Sequence, residues 1–176
     1  MKKTVIPFVI LMTFFLSAFS FVAATNWTIG TGYQIKFTSN DPSGVFTSLK
    51  GDILFDESDL SGSKFNVIID AASINTGNGM KNGHAKSDKF FDVKKYPNIT
   101  FISSRIEKGA AGYSVTGTLD MHGVKKEITF PFKFSNNTFV ASFDIKRTDY
   151  NLGGTTGMMG HAATTLKVDV SVPVTK

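Results

Sequence analysis

The chain has 176 residues, a formal net charge of +5, 17 phenylalanines and no cysteine. That length is one domain's worth once an export segment is set aside, and the absence of cysteine excludes a disulfide framework, so stability must come from a core. The basic excess is mild and forms no block, which argues against nucleic acid as a partner.

Residues 1–24 look like an export signal rather than part of the fold. Lys2 and Lys3 make a basic start, residues 4–21 are apolar and uncharged, and Val22-Ala23-Ala24 supplies small residues for cleavage before Thr25. The apolar run approaches the roughly 20 residues of a membrane anchor, but Pro7 and the alanine-rich end favour cleavage. No cysteine follows the run, which excludes a lipid-modified lipoprotein. Residues 25–176 are then expected to be a single periplasmic or secreted domain with no stable membrane insertion. Loss of Lys2 and Lys3 lowers the charge from +5 to +3.

From residue 25 onward the pattern is β almost throughout, with apolar residues at every second position. Trp27, Ile29, Tyr33, Ile35 and Phe37 share one parity in the first predicted strand. Val45, Leu49, Ile53 and Phe55 follow in the second, and Phe65, Val67, Ile69 and Ala71 in the third, where Ile68 and Ile74 break strict alternation. Residues 75–91 interrupt the series and predict a loop with one or two helical turns. Ile99, Phe101 and Ser103 begin a fourth strand, and Val115, Gly117, Leu119 and Met121 mark a fifth. His122-Gly123 turns directly into a sixth, with Ile128, Phe130, Phe132 and Phe134 on one face. Asn136-Asn137 predicts a tight hairpin turn of the positive-φ kind. Phe139, Ala141, Phe143 and Ile145 form a seventh strand, and Leu166, Val168, Val170 and Val172 an eighth. Between them, residues 151–160 are glycine-rich and contain Met158-Met159.

Eight strands with one apolar face predict an all-β fold, an eight-stranded antiparallel up-and-down barrel with a short helical lid. Closure removes exposed edges and gives the apolar face an inside. A sandwich satisfies the same alternation; the short connections and the large inward aromatics favour the barrel. Phe101, Phe130, Phe132, Phe134, Phe139 and Phe143 are expected to share one interior. Gly117, Ala71, Ser103 and Ala141 are expected to leave room among the rings.

Residues 87–101 read SDKFFDVKKYPNITF. With Trp27, the His122-Gly123-Val124 turn and Arg147-Thr148-Asp149-Tyr150, this segment resembles the YceI family across the whole mature chain. The family consists of exported bacterial proteins whose lipocalin-like barrel binds polyisoprenoids or related amphiphiles. The resemblance implies an exported lipid-binding barrel that carries or sequesters a polyisoprenoid or other long-chain lipid, with a link to stress left open. Departures occur at Gly32-Tyr33, where a His-Ser pair is usual, and at Asn40-Asp41-Pro42, where a second His is common. His84-Ala85-Lys86-Ser87 also lacks the leucine of the family's HLxS. They leave the fold expectation intact and bear on ligand chemistry at that end of the barrel.

Phe37, Phe90, Phe91, Phe101, Phe130, Phe132, Phe143, Arg147, Met158 and Met159 are the expected ligand-binding residues. Met80 is grouped with Phe90, Phe91 and the Met158-Met159 pair as a deformable apolar mouth, because methionine adapts to irregular apolar ligands. Arg147 has the inward parity of the seventh strand. It either pairs with Asp149, Asp88 or Asp92 to close one end of the barrel, or anchors an anionic head group. His84, His122 and His161 lack metal-ligand spacing, so no metal is expected, and no cofactor either. There is no GxSxG elbow, phosphate loop or cysteine nucleophile, so binding is favoured over catalysis. Two alternatives stay open: a small enzyme on the barrel, with Tyr33 and Asp70 as inward titratable candidates, and a periplasmic protein-interaction module using residues 75–91. The oligomeric state is left open, with a dimer among the options.

Overall fold

The computed structural model describes residues 24–39, 43–153 and 164–176. Their strands are β1 (Asn26–Ile29), β2 (Gln34–Thr38), β3 (Gly44–Phe46), β4 (Leu49–Leu54), β5 (Lys64–Asp70), β6 (Ile74–Asn75), β7 (Asn98–Gly109), β8 (Gly112–Met121), β9 (Val124–Ser135), β10 (Thr138–Lys146) and β11 (Thr165–Thr175). Among the described residues, one α-helix, α1 (Gly79–Lys86), lies between β6 and β7. The pairs β1/β2, β3/β4 and β5/β6 are each one bent strand in two halves, so the eight predicted strands are present. Each pairs antiparallel with its neighbour in the chain, and β11 returns to β1 through Thr28↔Thr175 and Ile29↔Val174. The result is a closed eight-stranded barrel.

The three bends lie side by side and are stitched together. Gly32, at φ 80°, opens the first, where a residue with a Cβ would be strained. The Tyr33 hydroxyl then donates to the Thr47 carbonyl (2.9 Å) and accepts from the Leu49 amide (3.0 Å), spanning the bend of the second strand. Ser73, at the end of a 3₁₀ turn over Ala71–Ser73, accepts the Thr47 and Ser48 amides at 3.2 Å each. The turn also explains Ile74, which breaks the sequence alternation yet is buried: a helical step between β5 and β6 resets which parity faces inward.

The hairpin turns follow the predicted chemistry. Asn136 and Asn137 have φ of 49° and 53°, and His122 and Gly123 have 54° and 74°, the signature of tight turns that match strand twist.

At the end of the barrel away from α1, aromatic rings fill the interior. Phe55 is 1% exposed and meets Phe65, Tyr113, Phe132, Phe134 and Phe139 edge-on or tilted, with centroids 5.1–6.3 Å apart. Such geometry lets each ring edge meet a neighbour's face. Trp27 closes this plug, its indole N–H donating to the Phe55 carbonyl (2.9 Å) and its ring packing on Phe134. The six phenylalanines assigned to one interior do share it: Phe101, Phe132 and Phe139 are buried, and Phe130, Phe134 and Phe143 pack against the core while half-buried.

Candidate functional site

Between the plug and the segment carrying α1, the barrel holds a cavity of about 210 Å³ with apolar walls. The walls come from inward positions of nearly every strand: Ile35 and Phe37 of β2, Ile69 of β5, Ile99 and Phe101 of β7, Leu119 of β8, Phe130 of β9, Phe143 of β10 and Val168 of β11. Period-two alternation places all of them inside, because successive side chains of a strand point to opposite faces.

The roof is built differently. Asn78 caps α1 by accepting the Lys81 amide (3.0 Å), and Asn82 ties the helix to Thr76 (2.7 and 2.8 Å). Beyond α1 the chain turns tightly, the Phe91 amide reaching the Ala85 carbonyl (3.0 Å) and the Asp92 amide the Ser87 carbonyl (2.8 Å), with Asp92 at φ 43°. Two consecutive residues of a strand cannot face the same way, but two in a turn can. Phe90 and Phe91 are therefore both buried and both line the cavity, with Ala85 beside them. Phe91 meets Phe46 edge-on (5.8 Å), and Phe46 meets Phe37 (5.8 Å), which ties the roof to the wall.

Arg147 lies just past β10, in a 3₁₀ turn over Arg147–Tyr150. It is buried and borders the cavity, and its Nη1 donates to the carbonyls of Leu152 (2.6 Å) and Gly153 (3.0 Å). Those carbonyls are brought into range by Asn151, whose left-handed backbone (φ 55°) reverses the chain. Of the acids expected near Arg147, Asp149 reaches Lys126 (3.5 Å). Gly153 packs so tightly that an added Cβ would meet the Phe90 ring at 3.0 Å and Arg147 Nη1 at 3.1 Å. Guanidinium, ring and backbone thus form one closed corner of the roof. Tyr150 lies beside it, 2% exposed, and its hydroxyl has no hydrogen-bond partner among the described residues; burial, and then the Asp149 charge, push its phenol pKa up.

Phe37, Phe90, Phe91, Phe101, Phe130, Phe132, Phe143 and Arg147 all border the cavity. Met158 and Met159 lie outside the described residues. Met80 does not join the mouth: it is 86% exposed on α1. The helix turns its Ala85 face inward, so Met80 points to solvent. Of the four small residues expected to leave room, only Ala141 lines the cavity. Gly117 instead accommodates β7: a Cβ there would meet the Ile102 carbonyl oxygen at 2.5 Å and the Phe101 ring at 2.7 Å, beside the β7 irregularity at Ser103/Arg105. Ser103 accepts the Phe65 amide (2.8 Å), and Ala71 is fully buried in its 3₁₀ turn.

Phe46, Ala85 and Leu152 also line the cavity without having been expected inside, as does Leu49 from the apolar face of the second predicted strand. Phe46 was the one with a readable signal, an aromatic beside a predicted strand start. Tyr33 and Asp70, the titratable candidates, hold backbone: Tyr33 bridges the second bend and Asp70 accepts the Ala72 amide (2.8 Å). His122 Nδ1 lies 3.1 Å from the Tyr150 carbonyl and its ring packs on Tyr96. His84 packs on Phe90 (5.9 Å). His161 lies outside the described residues. Among the described residues, no three His, Asp or Glu side chains converge on a metal-sized site, and no helix is long and apolar enough to cross a membrane.

This architecture recurs among known proteins. A Burkholderia cenocepacia protein, BcnA, superposes with a TM-score of 0.74 at 28% identity, over 82% of this chain and 96% of that one. A polyisoprenoid binding domain from Saccharophagus degradans has a TM-score of 0.63 at 22% identity, over 85% of this chain and 97% of that one, and so shares the fold. The UPF0312 protein YE1254 of Yersinia enterocolitica is 32% identical over 139 residues, 73% of this chain and 71% of its own length. The profile of the YceI-like domain matches residues 21–175, essentially the whole barrel. The chain belongs to the YceI-like family.

Proposed function

We propose that this protein binds a long apolar lipid of polyisoprenoid type inside its barrel, as an exported carrier or sequestering protein. The observation that carries this reading is the cavity of about 210 Å³ with apolar walls inside the barrel. It exceeds the roughly 150 Å³ apolar cavity that stays dry and admits benzene. Empty apolar volume of this size forfeits packing contacts, and an apolar chain would restore them. The polyisoprenoid named for the Saccharophagus domain, which shares the fold, fits that chemistry. The export signal expected in residues 1–24 supports a periplasmic or secreted setting.

Magnitudes assign the roles. Each buried methylene contributes roughly 0.8 kcal/mol, so ten carbons contribute about 8 kcal/mol before entropic costs. One charge-assisted hydrogen bond adds about 1.5–3 kcal/mol. The tail sets affinity, and Arg147, at the roof, orients a polar head.

Ala141→Trp tests the reading. Its side chain projects into the cavity from β10, so the indole should displace ligand with little loss of stability. In a solid core the same change would overpack and cost about 1–3 kcal/mol. Organic extraction and mass spectrometry of the parent protein purified from its own cell envelope should yield an apolar lipid, and the variant should yield much less at nearly the same melting temperature. A parent that carries no lipid and takes up no added isoprenoid alcohol, with a strongly destabilised variant, overturns the proposal.

A further inference from the structure

The barrel wall is not hydrogen-bonded uniformly. β9 and β10 form a hairpin, yet their pairing stops at Ala141↔Phe132. On either side the ladders continue: β8 stays paired with β9 to Val124, and β11 with β10 to Lys146. Pro131 stands at the point of separation, and proline has no amide hydrogen to donate to a ladder. Side chains cover this seam instead. Phe130 of β9 and Phe143 of β10 stack across it, centroids 4.1 Å apart and planes within 13°. Both border the cavity, as do Ile128 and Ile145 on the same two strands. Outside, next to the opening, Pro131 is exposed and Val140 is 46% exposed, and Val140 also borders the cavity.

The cavity of about 210 Å³ is smaller than the roughly 300–1,000 Å³ of pockets that enclose a drug-sized ligand. A long isoprenoid chain does not fit in it whole. Among the described residues, the Phe55 cluster fills the far end and Phe90, Phe91 and Arg147 cover the roof, which leaves the wall as the exit for the remainder. We propose that the β9–β10 seam is a second part of the lipid site: a long apolar chain displaces the Phe130–Phe143 stack, passes between the strands and lies over Pro131 and Val140. This inference rests on the lipid-binding reading and adds that chain length is accommodated at the seam.

The chain has no cysteine, so a single engineered disulfide can lock the seam. Thr129 and Asp144 are exposed, and the β9–β10 register, continued past Ala141↔Phe132, sets them opposite each other. Farnesol and solanesol, a short and a long isoprenoid alcohol, are the probes. In Thr129→Cys/Asp144→Cys, oxidation should leave farnesol binding within about twofold and weaken solanesol at least tenfold, with recovery on reduction. Pro131→Lys, at the exposed residue the long chain would cross and which does not line the cavity, should likewise weaken solanesol tenfold and spare farnesol, and it decides the matter if the two cysteines do not pair. Solanesol binding unchanged in the oxidised protein, or in Pro131→Lys when no disulfide forms, overturns the seam proposal while leaving the cavity reading intact. A parent protein that binds neither alcohol overturns the lipid-binding reading itself.

Discussion

Tyr150 and Arg147 show how much a single side chain depends on its turn. Arg147 has the inward parity of β10, so its burial could be read from alternation, but its carbonyl partners could not. Leu152 and Gly153 come into range only because Asn151 adopts a left-handed backbone. Tyr150 is among the deepest side chains, and its hydroxyl lacks a partner among the described residues. A buried polar group without a hydrogen bond keeps its full desolvation penalty. Tyr150→Phe should therefore raise stability by about 1 kcal/mol, read as a higher urea midpoint with an unchanged slope. A lower midpoint would mean that the phenol is satisfied in solution.

Among the elements, the crease across the first three strands departs most from the ideal pattern. Alternation alone showed eight strands, and it showed Ile74 as an anomaly without a cause. The cause is long-range: Tyr33 reaches the second strand, and Ser73 reaches it from the other side. Removing the Tyr33 hydroxyl leaves the Thr47 carbonyl and the Leu49 amide without that partner. Tyr33→Phe should cost about 1 kcal/mol and speed amide hydrogen exchange at Leu49 specifically. Exchange that is unchanged at Leu49 would show that the bend holds without the stitch.

Over the whole molecule, the barrel is divided into a packed half and an open half. Phe55, surrounded by rings on every side, belongs to the first, and Phe143, which faces the cavity, to the second. Phe55→Ala should cost about 3–5 kcal/mol, the range for emptying a well-packed aromatic site. Phe143→Ala should cost clearly less, because part of its surroundings is already empty. Equal losses at the two positions, measured by chemical denaturation, would contradict the division.

Period-two alternation, turn residues and the absence of cysteine determined the class, the number of strands and which faces are apolar. These are local properties, set by backbone geometry and hydrophobic spacing. The motif over residues 87–101 carried the family as well, since its aromatic pair and its turn are contiguous. Only the tertiary structure decided where interior space is filled and where it is left. Gly117 looked like room and is occupied by β7, while Ala141 looked the same and faces the cavity. It also decided that Met80 points outward while Phe90 and Phe91 both point in, and that β9 and β10 part beyond Pro131. Each of these outcomes depends on which distant strand or turn arrives beside a residue, and strand periodicity carries no information about that neighbour.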